Sequence, residues 1–422
     1  MLVPSIDLQG GRTVQLVGGE ALAIDAGDPT PIADRFARVG EIAVIDLDAA
    51  IGTGHNRALV ERLCAAHAVR VGGGIRDEAT ARAWLDAGAA KIILGTAAAP
   101  DLLRRLPRER LIAALDARDG EVVTHGWRTR SGVSIEARMA ELREHVGGFL
   151  ITFVEREGRL GGTAMDRVAP LIAAAGSARI TFAGGVTTSE EIATLDRLGA
   201  DAQVGMALYT GRLGLAEAFT APLRSDRPDG LWPVVVTDRA GQALGLAYTN
   251  LEAVRSALET GRGTYWSRSR GGLWEKGATS GATQRLVRIE VDCDRDALRY
   301  VVDQGGPGFC HLDTTTCWGP ARGLAALEET LRSRVHAAPA GSYARRLFDD
   351  PELLRAKLAE EAAELAEAND AAAVAHEAAD LLFFTMTAMA RRGVSLADVA
   401  DVLDRRARKV SRRPGDAKPT PS

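Results

Sequence analysis

The spacing of apolar positions changes twice along the 422-residue chain. Over residues 1 to about 220, short β-rich runs alternate with Ala/Leu-rich stretches of helical spacing. The runs are LVPSIDL, IAVIDLD, HAVRVGGGI, AKIILGT, RLIAALDA, GFLITFV, ARITFAGGV and DAQVGMAL. Strands separated by helices pair in parallel, and eight is the number that closes a (β/α)₈ TIM barrel. Between residues 231 and about 320 the pattern becomes LWPVVVTD, QALGLAYT, GTYWSRS, QRLVRIEVDC and ALRYVVD around one helical segment, LEAVRSALETG. That predicts a small, mainly β (α+β) domain. Further on, LRAKLAEEAAELAEA, AAVAHEAADLLFFTMTAMARRG and SLADVADVLDRRARK place apolar residues at i, i+3, i+4 and i+7, which predicts an all-α helical bundle.

The polar joints APLRSDRPDG and HAAPAGSY separate these textures. They predict domains at 1–222, 226–322 and 325–411, with 412–422 a disordered tail. The length agrees, since single cores stop growing near about 250–300 residues. The first region also repeats itself. Asp7 in SIDL recurs as Asp116 in ALDA, Gly73-Gly74 as Gly184-Gly185, and Gly95 as Gly205, each about 110 positions apart. Two copies of a four-strand unit are the expectation.

Composition adds limits. With 46% hydrophobic and 26% charged residues the chain reads as a soluble globular protein. Its net charge of −4 speaks against a nucleic-acid binder. No basic stretch precedes an apolar core at the N-terminus and no apolar run is long enough for a bilayer, so a cytoplasmic protein without membrane attachment is expected. In such a reducing compartment the cysteines read as metal ligands or thiols before disulfides. Cys64, alone in a helical stretch, reads as a small buried hydrophobe.

Candidate chemistry falls in three places. In a parallel barrel the C-terminal strand ends line the active site, and Asp7 and Asp116 end predicted strands one and five, across the barrel from each other. One carboxylate can then remove a proton while the other donates one. Gly73, Gly74, Gly95 and Thr96, with their repeats Gly184, Gly185, Gly205 and Met206, offer backbone N–H groups beside helix N-termini. Such positions favour phosphate, here one at each end of a ligand. VPSIDLQGG, VIDLDAA, VGGGIR, ILGT, ALDARDGEVVTHGW, AGGV and VGMALYTG together resemble the ProFAR isomerase family of histidine biosynthesis. The resemblance implies an Amadori rearrangement, with Asp7 as general base, Asp116 as general acid and Thr152 as a further active-site residue. A barrel that only binds ligand or supports assembly is the alternative.

Residues 291 to 317 hold three of the four cysteines among carboxylates. Asp292, Asp294 and Asp296 alternate, so an extended segment points them to one side, where oxygen ligands suit Mg²⁺. Cys293, Cys310 and Cys317 are thiols suited to Zn²⁺ or simply buried, and the spacing alone leaves both open. Upstream, Arg268, Arg270 and Lys276 stand among glycines and tryptophans in an anion-binding pattern. GLAYTN, SRSRGGLWEKGATSGATQ and DCDRDAL followed by CH and C resemble phosphoribosyl-AMP cyclohydrolase. That resemblance implies zinc on Cys293, Cys310 and Cys317, magnesium on Asp292, Asp294 and Asp296, proton transfer by His311, and a homodimer whose subunits share the zinc ligands. Zinc would there activate the water that opens the adenine ring.

Finally, Glu361 with Glu364 and Glu377 with Asp380 are i, i+3 pairs, each on one helix face. They are either a solvated face or a Mg²⁺ site for a pyrophosphate. PAGSYARRLFDDPELLRAKLAEEAAELAEA and HEAADLLFF resemble phosphoribosyl-ATP pyrophosphohydrolase, which implies the second. Asp380, flanked by AADLLFF, is expected in an apolar setting that a metal partner would relieve. The three resemblances imply consecutive steps on small phosphoribosyl nucleotides.

Overall fold

The computed structural model describes residues 1–124, 126–127 and 129–411. The tail expected at 412–422 lies outside the described residues. The chain divides into two compact units. One comprises Met1–Val236, Leu246–Asp303 and the described residues from Arg405, and the other Thr237–Gly245 and Gln304–Asp404.

In the first unit, eight strands form a closed parallel ring: Leu2–Gln9, Ile42–Asp46, Val69–Gly72, Lys91–Leu94, Leu111–Arg118, Gly148–Phe153, Arg179–Ala183 and Asp201–Val204. Successive strands pair in order, and the ring closes where Leu2 faces Ala202. Because helices cover the outside and side chains fill the inside, both strand faces are buried. Every position of Gly148–Phe153 is buried, which is why these strands read as continuous apolar runs. Ile93, Ile112, Leu150 and Ala183 pack inside the ring with Ile45 and Ala114.

Two hairpins extend this frame. Arg12–Val17 and Ala21–Gly27 follow strand one, and Glu121–Thr124 and Thr129–Ser134 follow strand five. Neither was expected from the spacing. Ala21–Gly27 reads as an Ala-rich run and Thr129–Ser134 as a mostly polar one, and neither buries a residue. Their equivalent placement carries the internal repeat into the loops.

Beyond the barrel, the first unit holds most of a four-stranded sheet in the order Ala243–Thr249, Trp232–Thr237, Leu298–Gln304, Gln284–Val291. A hairpin of Thr264–Ser267 and Gly272–Glu275 stands beside it. Helix Leu251–Thr260 begins where the Asn250 side chain accepts the Ala253 N–H at 2.9 Å and ends at left-handed Gly261. It buries Ala253, Val254, Ala257 and Leu258. This region is tied to the barrel by named bonds. Arg38 Nη1 donates to the Leu258 carbonyl at 2.6 Å, and Arg255 Nε to Glu217 at 3.0 Å. Residues beyond Arg405 return to the barrel as well. The Arg408 carbonyl accepts from Arg110 at 2.6 Å, and Asp86 accepts the Val410 and Ser411 N–H groups at 2.9 Å.

The second unit is helical beyond residue 322: Gly323–Ala337, Tyr343–Asp349, Pro351–Glu367, Ala371–Arg391 and most of Leu396–Ala407. Asp350 caps the third of these, accepting from Glu352 and Leu353 N–H with Pro351 in the first turn. Asp370 caps the fourth in the same way. Leu347, Leu354 and Phe384 form its core, joined by Leu353, Leu358, Phe383 and Ala388. The expected order of barrel, mainly β domain and helical bundle is therefore the order found. No described helix is long and apolar enough to cross a membrane.

Candidate functional sites

At the C-terminal mouth of the barrel, strand five places Asp116 beside Thr152 of strand six in paired register. The Thr152 hydroxyl hydrogen-bonds to the Asp116 carboxylate. The second hairpin supplies Trp127, whose Nε1–H donates to Asp116 Oδ2 at 2.9 Å. Asp7 lies two residues before the end of strand one, and Gln15 of the first hairpin donates to its Oδ2 at 3.4 Å. Burial pushes the Asp7 carboxyl up to about 7. Burial also raises Asp116, although the bonds from Trp127 and Thr152 oppose it. A third carboxyl, Glu157, is pushed up to about 7 by burial and by the charges of Asp7 and Asp116. The sequence reading missed Trp127 and Glu157. Trp127 lay within a quoted motif, and its left-handed backbone (φ 68°) marks it as a turn residue aimed by the hairpin.

The glycine positions fall where the repeat puts them. Gly73 (φ 97°) and Gly184 (φ 84°) are left-handed and pressed against backbone of Asp46 and Phe153, so only glycine fits. Gly74 precedes helix Glu78–Asp86, and Gly185 precedes helix Ser189–Arg197. Gly95 and Thr96 are exposed after strand four, and Gly205 leads into the one-turn helix Met206–Tyr209, where Met206 is buried. Glu191 ties two of these loops together. Its Oε1 accepts from Thr163 N–H at 2.7 Å and its Oε2 from Thr187 N–H at 2.8 Å.

In the middle region, Asp292, Asp294 and Asp296 come together, each offering a carboxylate oxygen within 4.8 Å of the others. Facing acids raise Asp296, while Asp292 is lowered by N–H groups of Ala297 and Asp296 against its burial. This donor set fits a hard cation. A cavity of about 510 Å³ in the same region of the chain is lined by Leu246, Tyr248, Trp266, Arg268, Ser269 and Trp274 among others. Arg268 lies 3.9 Å and Arg227 4.7 Å from the Tyr248 ring centroid, one on the expected basic loop and one upstream of it. Arg270 is exposed at the hairpin tip, whereas Lys276 is buried. The sequence reading missed Arg227 and Tyr248, which only folding brings to that loop.

Cys293 belongs to the first unit, and Cys310 and Cys317 to the second. The Cys310 thiol is lowered, first by the Leu312 N–H and further by Thr314 and Cys317. Thiolate character suits a soft cation such as Zn²⁺. His311 Nδ1 lies 3.8 Å from Cys310 Sγ, and its side chain is exposed. Cys64 is buried, and its thiol is pushed up to about 12, as an inert core residue would be.

On the bundle, Glu361, Glu364 and Glu377 form one group of converging carboxylates, and Glu377 and Asp380 with His376 form a second. Burial, Glu361 and Glu377 raise Glu364. Lys357 Nζ sits 2.9 Å from both Glu360 and Glu361. One expectation needs correcting. The Asp380 side chain is 47% exposed, because its apolar sequence neighbours point to other helix faces. The buried acid is Glu361, which Lys357 neutralises. His376, 3.2 Å from Asp380, was missed because a lone helical histidine carries no spacing signal.

Residues 1–214 match the family profile described as histidine biosynthesis protein, 245–319 that of phosphoribosyl-AMP cyclohydrolase, and 324–407 that of phosphoribosyl-ATP pyrophosphohydrolase. The chain belongs to the histidine biosynthesis protein family. It is 44% identical over 196 residues to the histidine biosynthesis bifunctional protein HisIE of Deinococcus radiodurans, covering 42% of this chain and 89% of that protein. It is 53% identical over 207 residues to the bifunctional protein his7 of Schizosaccharomyces pombe, covering 49% of each. With the trifunctional protein of Neurospora crassa it shares 53% over 208 residues, 49% of this chain and 24% of that one. The chain thus spans about half or a quarter of these two fungal relatives.

Proposed function

We propose that this chain catalyses three consecutive steps of histidine biosynthesis, from domains at 1–222, 226–322 and 325–411. The bundle would cleave phosphoribosyl-ATP to phosphoribosyl-AMP and pyrophosphate, the middle domain would open the adenine ring, and the barrel would isomerise the resulting ProFAR. The reading is carried by the barrel mouth, where Asp7, pushed up to about 7, shares the site with a raised Asp116 held by Trp127 and Thr152.

A carboxyl titrating near neutrality is partly ionised there and can take the proton from the sugar C2, one carbon beyond the carbon that bears the amine. Asp116 holds a proton to higher pH than an exposed aspartate and can deliver it to the ring oxygen. Trp127 and Thr152 fix its orientation. Gly73, Gly74, Gly95 and Thr96 would seat one phosphate, and Gly184, Gly185, Gly205 and Met206 the other.

In the middle domain Cys293, Cys310 and Cys317 would hold zinc, shared between the subunits of a homodimer, and Asp292, Asp294 and Asp296 would hold magnesium. Zinc supplies Lewis acidity that activates water for attack on the ring. His311 would move the proton, and Arg268, Arg270 and Lys276 would hold the phosphoribosyl group. In the bundle Glu361, Glu364, Glu377 and Asp380 would hold magnesium on the triphosphate. The pathway would run in a reducing, cytoplasmic setting, in which cysteines are kept from pairing as disulfides.

The test supplies phosphoribosyl-ATP to the purified chain and follows every intermediate by chromatography. Wild type should pass through phosphoribosyl-AMP and ProFAR to the isomerised product. Asp7→Asn should stop at ProFAR and Glu377→Gln at phosphoribosyl-ATP. A wild type that accumulates ProFAR would overturn the isomerase assignment and leave a barrel that serves as scaffold.

A further inference from the structure

The loop that gathers Asp292, Asp294 and Asp296 contains one residue that faces away from them. Arg295, between the second and third carboxylates, adopts a left-handed backbone (φ 70°), which L side chains rarely adopt. Its fork reaches the barrel. Nε donates to Asp196 Oδ2 at 3.1 Å and Nη2 to Asp196 Oδ1 at 3.0 Å, with only 22% and 11% of the two side chains exposed. Two further bonds fix the same residue. Nη1 donates to the Asp292 carbonyl at 3.0 Å, and the Arg295 carbonyl accepts the Arg224 N–H at 2.7 Å. The loop then closes on itself, as Asp292 Oδ1 accepts the Asp296 and Ala297 N–H groups at 3.1 and 3.2 Å.

Asp196 is itself well held. It ends helix Ser189–Arg197, whose start is locked by a reciprocal cap between Thr188 and Glu191. It also accepts from the Met1 nitrogen at 3.1 Å, and that nitrogen bridges to the buried Asp201 at 2.8 Å. This anchor belongs to the barrel, and the barrel mouth does not use it.

We propose that Asp196 of the barrel, acting through Arg295, is a positioning residue that preorganises the carboxylate loop of the middle domain for a divalent cation. Three like-charged oxygens repel each other, so a loop free to relax spreads them before the cation arrives. A bidentate clamp from a rigid neighbour removes that freedom, as outer partners of metal ligands generally do. The barrel would thus contribute to a reaction carried out in another domain. The inference rests on reading the loop as a cation site.

The experiment uses the full chain in a Glu364→Gln/Glu377→Gln background, which disables the bundle's acids, and titrates Mn²⁺ by electron paramagnetic resonance. The parent should bind Mn²⁺ at the loop, and Asp294→Asn should remove that binding. Asp196→Asn should weaken it about tenfold while the chain stays folded by circular dichroism at the assay temperature. Arg295→Lys keeps the charge but loses the fork, and should weaken it similarly. The double variant should bind no more than about twofold more weakly than either single. Amide hydrogen exchange over residues 292–297 should quicken in Asp196→Asn, which reads loop order without any activity. A parent that binds no Mn²⁺ at the loop overturns the cation-site reading and the inference together. A parent that binds, with Asp196→Asn binding equally well or the two substitutions adding, overturns the inference alone.

Discussion

Asp7 is pushed up to about 7 because the barrel mouth withdraws its carboxyl from water. A raised carboxyl favours the folded state below its unfolded value near 3.8 and loses that contribution as pH rises through about 7. Asp7→Asn should therefore match wild-type stability near pH 4 and exceed it by about 4 kcal/mol at pH 8, read by thermal melts across pH. The same substitution should lower ProFAR turnover by about 10²–10⁴-fold. In the wild type the acid limb of kcat should fall near pH 7, as a property shared by Asp7 and its neighbour Glu157. Trp127→Phe removes a bond that lowers Asp116. The Asp116 carboxyl should then hold its proton longer, moving the alkaline limb to higher pH while kcat drops by about tenfold. Asp7 and Asp116 were legible in the sequence because the repeat marks them twice. Glu157 was not, since its role arises from burial between two acids that only the closed barrel brings near.

Among the elements, the barrel strands were readable because both faces are buried and their apolar runs are unbroken. The hairpins were not, because their outer strands bury no residue and read as one Ala-rich run and one polar run. Yet those hairpins bring Gln15 to Asp7 and Trp127 to Asp116. The least predictable elements therefore contribute directly to the mouth, as expected where function is placed on loops carried by a stable frame. Glu191 shows how the frame disciplines such loops, since its carboxylate serves the Thr163 and Thr187 N–H groups and caps its own helix. Glu191→Ala leaves those N–H groups unpaired and should cost about 2–3 kcal/mol, measured by urea unfolding. It should also raise the KM for ProFAR, because Gly184 and Gly185 lie in the strand-end loop just before it.

For the molecule as a whole, the three candidate sites divide by chemistry. The barrel relies on carboxyls placed by strands, whereas the other sites gather ligands for cations. Prolonged chelation should abolish hydrolysis of phosphoribosyl-ATP and phosphoribosyl-AMP while sparing ProFAR turnover, with activity returning on addition of Mg²⁺ and Zn²⁺. The order of domains was legible because each has its own apolar period. The contacts between barrel and middle domain were not, because Arg38, Arg255 and Arg295 look like ordinary surface arginines in sequence. The return of residues 405–411 to Arg110 and Asp86 was equally silent. That return ties residues 408–411 to the barrel at two points, Arg110 and Asp86. A nick introduced at residues 338–341 should leave a particle that still elutes as one, with the severed piece kept by its grip on the barrel and by its packing against helix Gly323–Ala337. Adding Asp86→Ala should remove one of these ties and let the nicked pieces drift apart sooner on dilution, so a cut chain would owe its cohesion to bonds that do not run along its backbone.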